Sequence, residues 1–205
     1  MNGDVILLAT RSEGKLRELR PLFEAAGWQV QDLRSAGVAG SAEEEVVEAF
    51  DTFAGNAVAK ARYFHALTGR TAVADDSGLE VEVLGGAPGV RSKRWSGRVD
   101  LSGQALDDAN NAKLLAALDG MDRPSARYVC AAAYVDGARE EVELGATTGT
   151  IIREARGTEG FGYDPYFLSD DLGLTFGESS REAKEHVSHR GRAFRALLER
   201  LGQPR

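Results

Sequence analysis

The sequence predicts an α/β protein built on a mixed β-sheet. Three observations lead there. Short apolar runs alternate with helix-period segments through the first half. Two long β-rich runs, residues 126–135 and 140–152, are separated only by "DGAR" and read as a strand pair in the second half. No internal repeat or linker interrupts the 205 residues, so one domain of two closely joined lobes, spanning residues 1–205, is expected.

Residues 5–9, "VILLA", are an apolar run of the length of a buried strand. Ser12 has the side chain of an N-cap, and a helix from Glu13 would carry Leu16, Leu19 and Phe23 on one face. Pro21 lies inside that pattern and predicts a kink or a break. Gly27 ends the pattern, and "WQVQDL" reads as a second strand. Residues 36–45 form a flexible acidic loop. A long helix is predicted over residues 46–67, carrying Phe50, Phe53, Ala57, Ala61 and Phe64. Gly55 would weaken its middle by roughly 1 kcal/mol relative to alanine. "TAVADDSG" predicts a short strand ending in a turn, followed by "LEVEVL" and the Gly/Pro-rich "GGAPGV". "DDANNAKLLAAL" predicts a helix, "GFGYDPYF" a glycine-aromatic loop, and the residues from Arg181 onward a C-terminal helix.

With 42% hydrophobic and 28% charged residues, the chain can bury a substantial core. Its net charge of −7 argues against a general nucleic-acid binder, so an anionic ligand must be met by a local cluster of cations. Cys130 is the only cysteine, which excludes an intramolecular disulfide and a multi-cysteine zinc site. Its place in "ARYVCAAAYV" makes it a small core residue. No run approaches membrane-spanning length. "VILLA" is too short for a signal-peptide core and follows Asp4 rather than a cation. A soluble, cytoplasmic protein is expected.

Three stretches carry candidate chemistry. The first is the turn "TRSEGK", between the first strand and its helix. Free backbone N–H groups and the positive end of the helix dipole make such a turn a common anion site. It is not a Walker A loop, because Ala9 stands where the first glycine belongs and Leu16 follows Lys15. Taken alone, the turn is better read as a helix cap with a solvated surface lysine. The second stretch places Asp75, Asp76 and Ser77 at the end of an apolar strand, where α/β sheets bind ligands. Glu48 offers a further carboxylate, and Mg2+ binds through one or two carboxylates plus substrate phosphates. The same acids also suit a solvated turn. The third is "KEHVSHRGRAF", with Lys184, His186, His189, Arg190 and Arg192. It is either a solvated basic helix end or a surface that meets an anion and a base edge. A His186–His189 metal pair lacks a third ligand.

Taken together, these segments resemble the inosine/xanthosine triphosphate pyrophosphatases, enzymes that remove deaminated purine nucleotides. The resemblance rests on "LLATRSEGKLREL", "EAFDTFAGNAVAKAR" with "AVADDSGLEVEVLGGAPGV", "GFGYDPYF" and "SHRGRAF", and runs from about residue 5 to residue 200. It implies a long curved mixed β-sheet with two α/β lobes flanking a nucleotide cleft, and a homodimer. It also implies that Thr10, Arg11, Ser12, Glu13, Gly14 and Lys15 bind the triphosphate, with Ser77 as a further substrate contact. Asp76 would be the catalytic base and a metal ligand, and Glu48 the second metal ligand. Phe161, Gly162, Tyr163, Asp164, Lys184, His189 and Arg190 would hold base and phosphate. Asp75, Asn56 and Lys60 are further candidates. The chain departs from the family at two places. The turn reads Thr10-Arg11-Ser12 where Thr-Gly-Asn is usual, and Gly55 stands where a glutamate usually precedes Asn56.

The reaction so implied is Mg2+-dependent hydrolysis of ITP, dITP or XTP to the monophosphate and pyrophosphate. A donor from His189 or Arg190 to O6 of the base would separate hypoxanthine and xanthine from adenine, and Phe161 would stack on the purine. Two alternatives remain at this point: a related pyrophosphatase with another base preference, and a nucleotide-binding module without turnover. Neither a nucleic acid nor a membrane is expected as partner.

Overall fold

The structure, a computed structural model, describes residues 5–202. Its elements in chain order are β1 (Val5–Leu8), α1 (Glu13–Ala25), β2 (Gln29–Asp32), α2 (Glu43–Val47), α3 (Phe53–Thr68), β3 (Ala72–Val81), α4 (Gly103–Ala117), β4 (Ser125–Val135), β5 (Glu140–Ile151), β6 (Phe167–Ser169), α5 (Arg181–Val187) and α6 (His189–Leu201). The strands form a sheet in the order β2-β1-β3-β4-β5-β6. β1 pairs in parallel with β2, Val5 opposite Gln29, and with β3, Leu7 opposite Ala72. β5 pairs antiparallel with β6, Gly149 opposite Ser169, so the sheet is mixed as the sequence predicts. No helix of the described residues is long and apolar enough to cross a membrane.

The chain divides into two compact units. The first takes the residues up to 76, residues 130–145 and those from 190 on. Its core packs Ile6, Leu8, Leu19, Phe23, Trp28, Val73, Ala132, Phe194 and Leu197 together, with Cys130 fully buried among them. The Phe23 and Phe194 rings meet edge to face, 5.7 Å between centroids. Burying one such side chain contributes about 1.5–3 kcal/mol. α1 forms because Ser12 caps it and Leu19 and Phe23, four apart, face that core. Pro21 does not break it, contrary to one expectation. Pro21 and Arg17 lie on the exposed face, where water can satisfy the Arg17 carbonyl that a proline leaves without its helical partner.

The single helix expected over residues 46–67 is two helices. α2 ends at Val47 with Glu48 as its C-cap, and α3 starts afresh at Phe53. Thr52 caps α3 by accepting from the Gly55 N–H at 3.1 Å. The Asn56 side chain binds both the N–H (2.9 Å) and the C=O (3.1 Å) of Phe50, which holds the connector out of helical geometry. Phe50 is therefore 55% exposed rather than in the core. Gly55 sits in a first turn, not a helix middle. A Cβ there would lie 2.9 Å from Phe50 Cβ and from Thr52 Oγ1.

The second unit takes residues 77–129 and 146–189. Leu79, Val81, Leu114, Tyr128, Ile151, Phe167 and Phe176 form its core. α4 begins at Gly103, earlier than expected, and β6 is a three-residue strand that starts at Phe167, the last residue of the expected glycine-aromatic loop. β3 also differs from expectation. It runs unbroken from Ala72 to Val81, so Asp75, Asp76 and Ser77 lie within a strand rather than at a turn. The C-terminal helix is interrupted at Ser188, whose ψ of 151° is extended and separates α5 from α6. This places His186 and His189 on different helices.

Candidate active site

In the first unit, β1 delivers the chain to the turn at Thr10–Ser12 and α1 follows. Thr10 Oγ1 accepts from the Ser12 N–H at 3.2 Å, and Ser12 Oγ from the Lys15 N–H at 3.4 Å. The N–H groups of Glu13 and Gly14, in the first helical turn, have no intrahelical partner and are available to an anion. Arg11 points elsewhere: it forks onto Glu44 and onto the carbonyls of Val38 and Ala39.

Behind this turn lies a buried charge cluster. Asp75 is 1% exposed. Its Oδ2 meets Lys15 Nζ at 3.0 Å and Arg190 Nε at 3.1 Å. Lys60 Nζ donates to its backbone carbonyl at 3.0 Å and pairs with Glu48. Burial alone would raise the Asp75 pKa, but Lys15, Arg190 and Lys60 outweigh it and hold the carboxyl well below its ordinary value. Lys15 shifts down, because burial outweighs the attraction of Asp75. Arg190 completes the chain of charges by pairing with Glu18 on α1. Its guanidinium is thus engaged by two acids of this unit, whereas sequence reasoning had it facing a base or phosphate. Cys130 Sγ lies 3.9 Å from Asp75 Oδ2.

Asp76, next along β3, takes a different environment. Asn56 Nδ2 donates to its Oδ2 at 2.9 Å. Burial raises its pKa, against the pull of Lys15, Asn56 and Lys60, and the charge of Glu48 adds to the rise. The two neighbouring acids are shifted in opposite directions: Asp75 stays charged and holds cations, while burial makes Asp76 the easier of the two to protonate. Among the described residues, no three His, Cys, Asp or Glu side chains are grouped to hold a metal. Mg2+ does not require three, since phosphate oxygens and water complete its shell. Glu48 and Asp76 fit this role. They repel one another, and a divalent cation bound by the pair would relieve that repulsion and the cost of burying Asp76.

In the second unit the aromatic loop is fixed around Asp164, which is 3% exposed. Its Oδ2 accepts from the Phe161 N–H at 2.8 Å and from Lys184 Nζ at 2.7 Å, and its Oδ1 from Tyr128 Oη at 3.3 Å. Gly160 is required beneath it, because a Cβ there would lie 2.1 Å from Asp164 Oδ2. Lys184 Nζ sits 5.1 Å from the Phe161 ring centroid, within cation–π range. His189 stacks on Tyr128 at 4.6 Å and 10°. Tyr163 is core, its hydroxyl donating to the Ser92 carbonyl at 2.7 Å. Ser77, half-buried on β3, also belongs to this unit.

Sequence reasoning missed three residues with visible roles. Glu18 is one; it lies three after Lys15, on the same helix face, which was a readable signal. The others are Asp107 and Asn111. Asp107 Oδ2 accepts from the Gly162 N–H at 2.8 Å, and Asn111 Nδ2 donates to the Gly162 carbonyl at 2.9 Å. They are four apart on α4 and clamp both backbone groups of a loop residue whose φ is 66°.

The model of the Ham1 family matches residues 6–200. A dITP/XTP pyrophosphatase of Frankia alni is 49% identical over 195 residues, 94% of each chain. One of Escherichia coli O157:H7 is 43% identical over 201 residues, 96% of this chain and 97% of that one. Among solved structures, a HAM1 protein from Coxiella burnetii superposes with a TM-score of 0.81 at 34% identity, covering 97% of this chain and 98% of that one.

Proposed function

Since the chain belongs to the Ham1 family, we propose that it hydrolyses the deaminated purine nucleoside triphosphates dITP, ITP and XTP to the monophosphate and pyrophosphate. The observation that carries this reading is the cluster of Lys15, Lys60 and Arg190 about Asp75, beside an Asp76 of raised pKa. Burying so many charges costs more desolvation than an apolar core would, and such arrangements concentrate at sites of charge-handling chemistry. The names of the relatives support the choice of substrate.

Phosphoryl transfer is mostly positioning and charge stabilisation. Lys15 and the first-turn N–H groups of α1 take the phosphate oxygens. Asp76, oriented by Asn56, aligns the attacking water and accepts its proton. The water oxygen bonds to phosphorus, the α–β anhydride bond breaks, and the electron pair leaves with pyrophosphate. Glu48 and Asp76 would hold Mg2+, whose charge would offset that building on the phosphates. Asp75 keeps Lys15 in place.

For the base, Phe161 offers a stacking face and His189 a donor for O6. Adenine presents a 6-amino donor there, so a donor in the site leaves it unsatisfied, a mismatch able to discriminate by a factor on the order of 10⁴. We further assign the protein to the cytoplasm, with its nucleotide pool, as a homodimer that engages neither nucleic acid nor membrane.

Product analysis tests the reaction. Incubation with dITP and Mg2+ should give dIMP and pyrophosphate in equal amounts. Release of dIDP and orthophosphate would overturn the assignment.

A further inference from the structure

We infer that Arg11 is a positioning residue: it straps the segment of residues 38–48 to the first turn and thereby sets Glu48, instead of contacting phosphate itself. Arg11 donates through Nε to Glu44 Oε2 at 2.7 Å and through Nη2 to Glu44 Oε1 at 2.6 Å, the two-pronged geometry that makes arginine–carboxylate pairs directional. The same Nη2 also reaches the Ala39 carbonyl at 2.9 Å, and Nη1 and Nη2 reach that of Val38 at 3.3 Å. Every nitrogen of the guanidinium is thus engaged with this one segment.

The segment needs such support. α2 has five residues, far too few for a helix stable by itself, and its N-cap, Ala42, offers no side-chain bond. What holds it comes from outside. Glu44 Oε1 accepts from the Ser41 N–H at 3.2 Å, Ser41 Oγ contacts Tyr63 Oη on α3 at 3.2 Å, and Tyr63 Oη donates to Glu43 at 3.4 Å. At the far end Glu48, the C-cap, pairs with Lys60. Glu44 stands four residues before Glu48, one helical turn away, so fixing Glu44 fixes the start of the turn that ends at the carboxylate. Arg11 therefore couples two parts of the proposed site, the phosphate turn it belongs to and the carboxylate proposed for Mg2+.

The inference rests on the proposed reaction only for its kinetic readout, so its test has a second readout that does not. Amide hydrogen exchange of residues 36–48 is measured in Arg11→Ala, Glu44→Ala, the double variant and Arg11→Lys, alongside kcat/KM for dITP. The strap predicts that exchange of the segment speeds up by about fivefold in each single alanine variant, the upper end for an exposed pair. The double variant should be no worse than either single one, and Arg11→Lys should resemble Arg11→Ala, because an ammonium keeps the charge but loses the fork. kcat/KM should fall in parallel in all four. Unchanged exchange in Arg11→Ala or Glu44→Ala, additive effects in the double variant, or a fall in kcat/KM confined to the Arg11 variants would each overturn it. If the wild-type protein does not hydrolyse dITP, the proposed function fails while the exchange comparison still decides the strap.

Discussion

Two adjacent aspartates on one strand have been given opposite chemistry by their neighbours. Asp75 has three cations about it and is held ionised. Asp76 has an amide donor and a nearby carboxylate, and its pKa rises. Asp76→Asn should therefore lower kcat for dITP by about 10²-fold or more, since it removes a proton acceptor and a candidate metal ligand together. Steady-state kinetics at saturating Mg2+ read this directly, and full activity would remove Asp76 from the mechanism. The residues considered for the base separate in a similar way. His189→Ala should lower the ITP over ATP ratio of kcat/KM by about tenfold, the worth of one hydrogen bond of 1.4 kcal/mol. Arg190→Ala should leave that ratio alone and weaken both substrates, because Arg190 serves Asp75 and Glu18. A ratio that falls only in Arg190→Ala would reverse the two roles.

Elements carry these side chains, and several were legible in the sequence. β1, α1 and β2 were, because each is bounded by local signals: an apolar run, the Ser12 cap, Gly27. The β4–β5 pair around "DGAR" was as well. There Asp136 Oδ1 accepts from the N–H groups of Ala138 and Arg139, both at 2.9 Å, a turn formed by local bonds. The division between α2 and α3 was not legible. It depends on a side chain, Asn56, reaching back six residues to Phe50 and also across to Asp76. The continuity of β3 through "DDSG" escaped because β3 is an inner strand of the sheet with β4 beside it, a tertiary setting that overrides turn-forming residues. Candidate site residues were named largely from the family resemblance. The partners that orient them, such as Glu18 for Arg190 at a separation of 172 residues, follow from the fold. Gly160→Ala forces a φ of 77° on a residue with a Cβ and drives that Cβ into Asp164. It should cost about 2 kcal/mol or more in denaturant unfolding and raise KM for dITP, since Phe161 and Lys184 both hang on Asp164. A variant as stable as wild type would show that the loop does not depend on this close approach.

For the molecule as a whole, the family is established, and the proposed activity is selection of deaminated purine nucleoside triphosphates with release of pyrophosphate. This acidic chain concentrates cations about Asp75, so the proposed triphosphate should bind there, with Mg2+ at Glu48 and Asp76 adding positive charge. Chelation of divalent metal by excess EDTA should accordingly abolish turnover, with activity restored by added Mg2+. Persisting activity in EDTA would detach Glu48 from the role proposed for it. The most direct measurement is pyrophosphate release at matched concentrations of dITP, XTP, dATP, dGTP and dUTP in Mg2+, with the Asp76→Asn protein as control for contaminating activity. dITP and XTP should be cleaved with kcat/KM at least about 10²-fold above dATP, a discrimination well within what one mismatched hydrogen-bonding group at the 6-position supplies. Equal release from all five, or none from dITP and XTP, would contradict it.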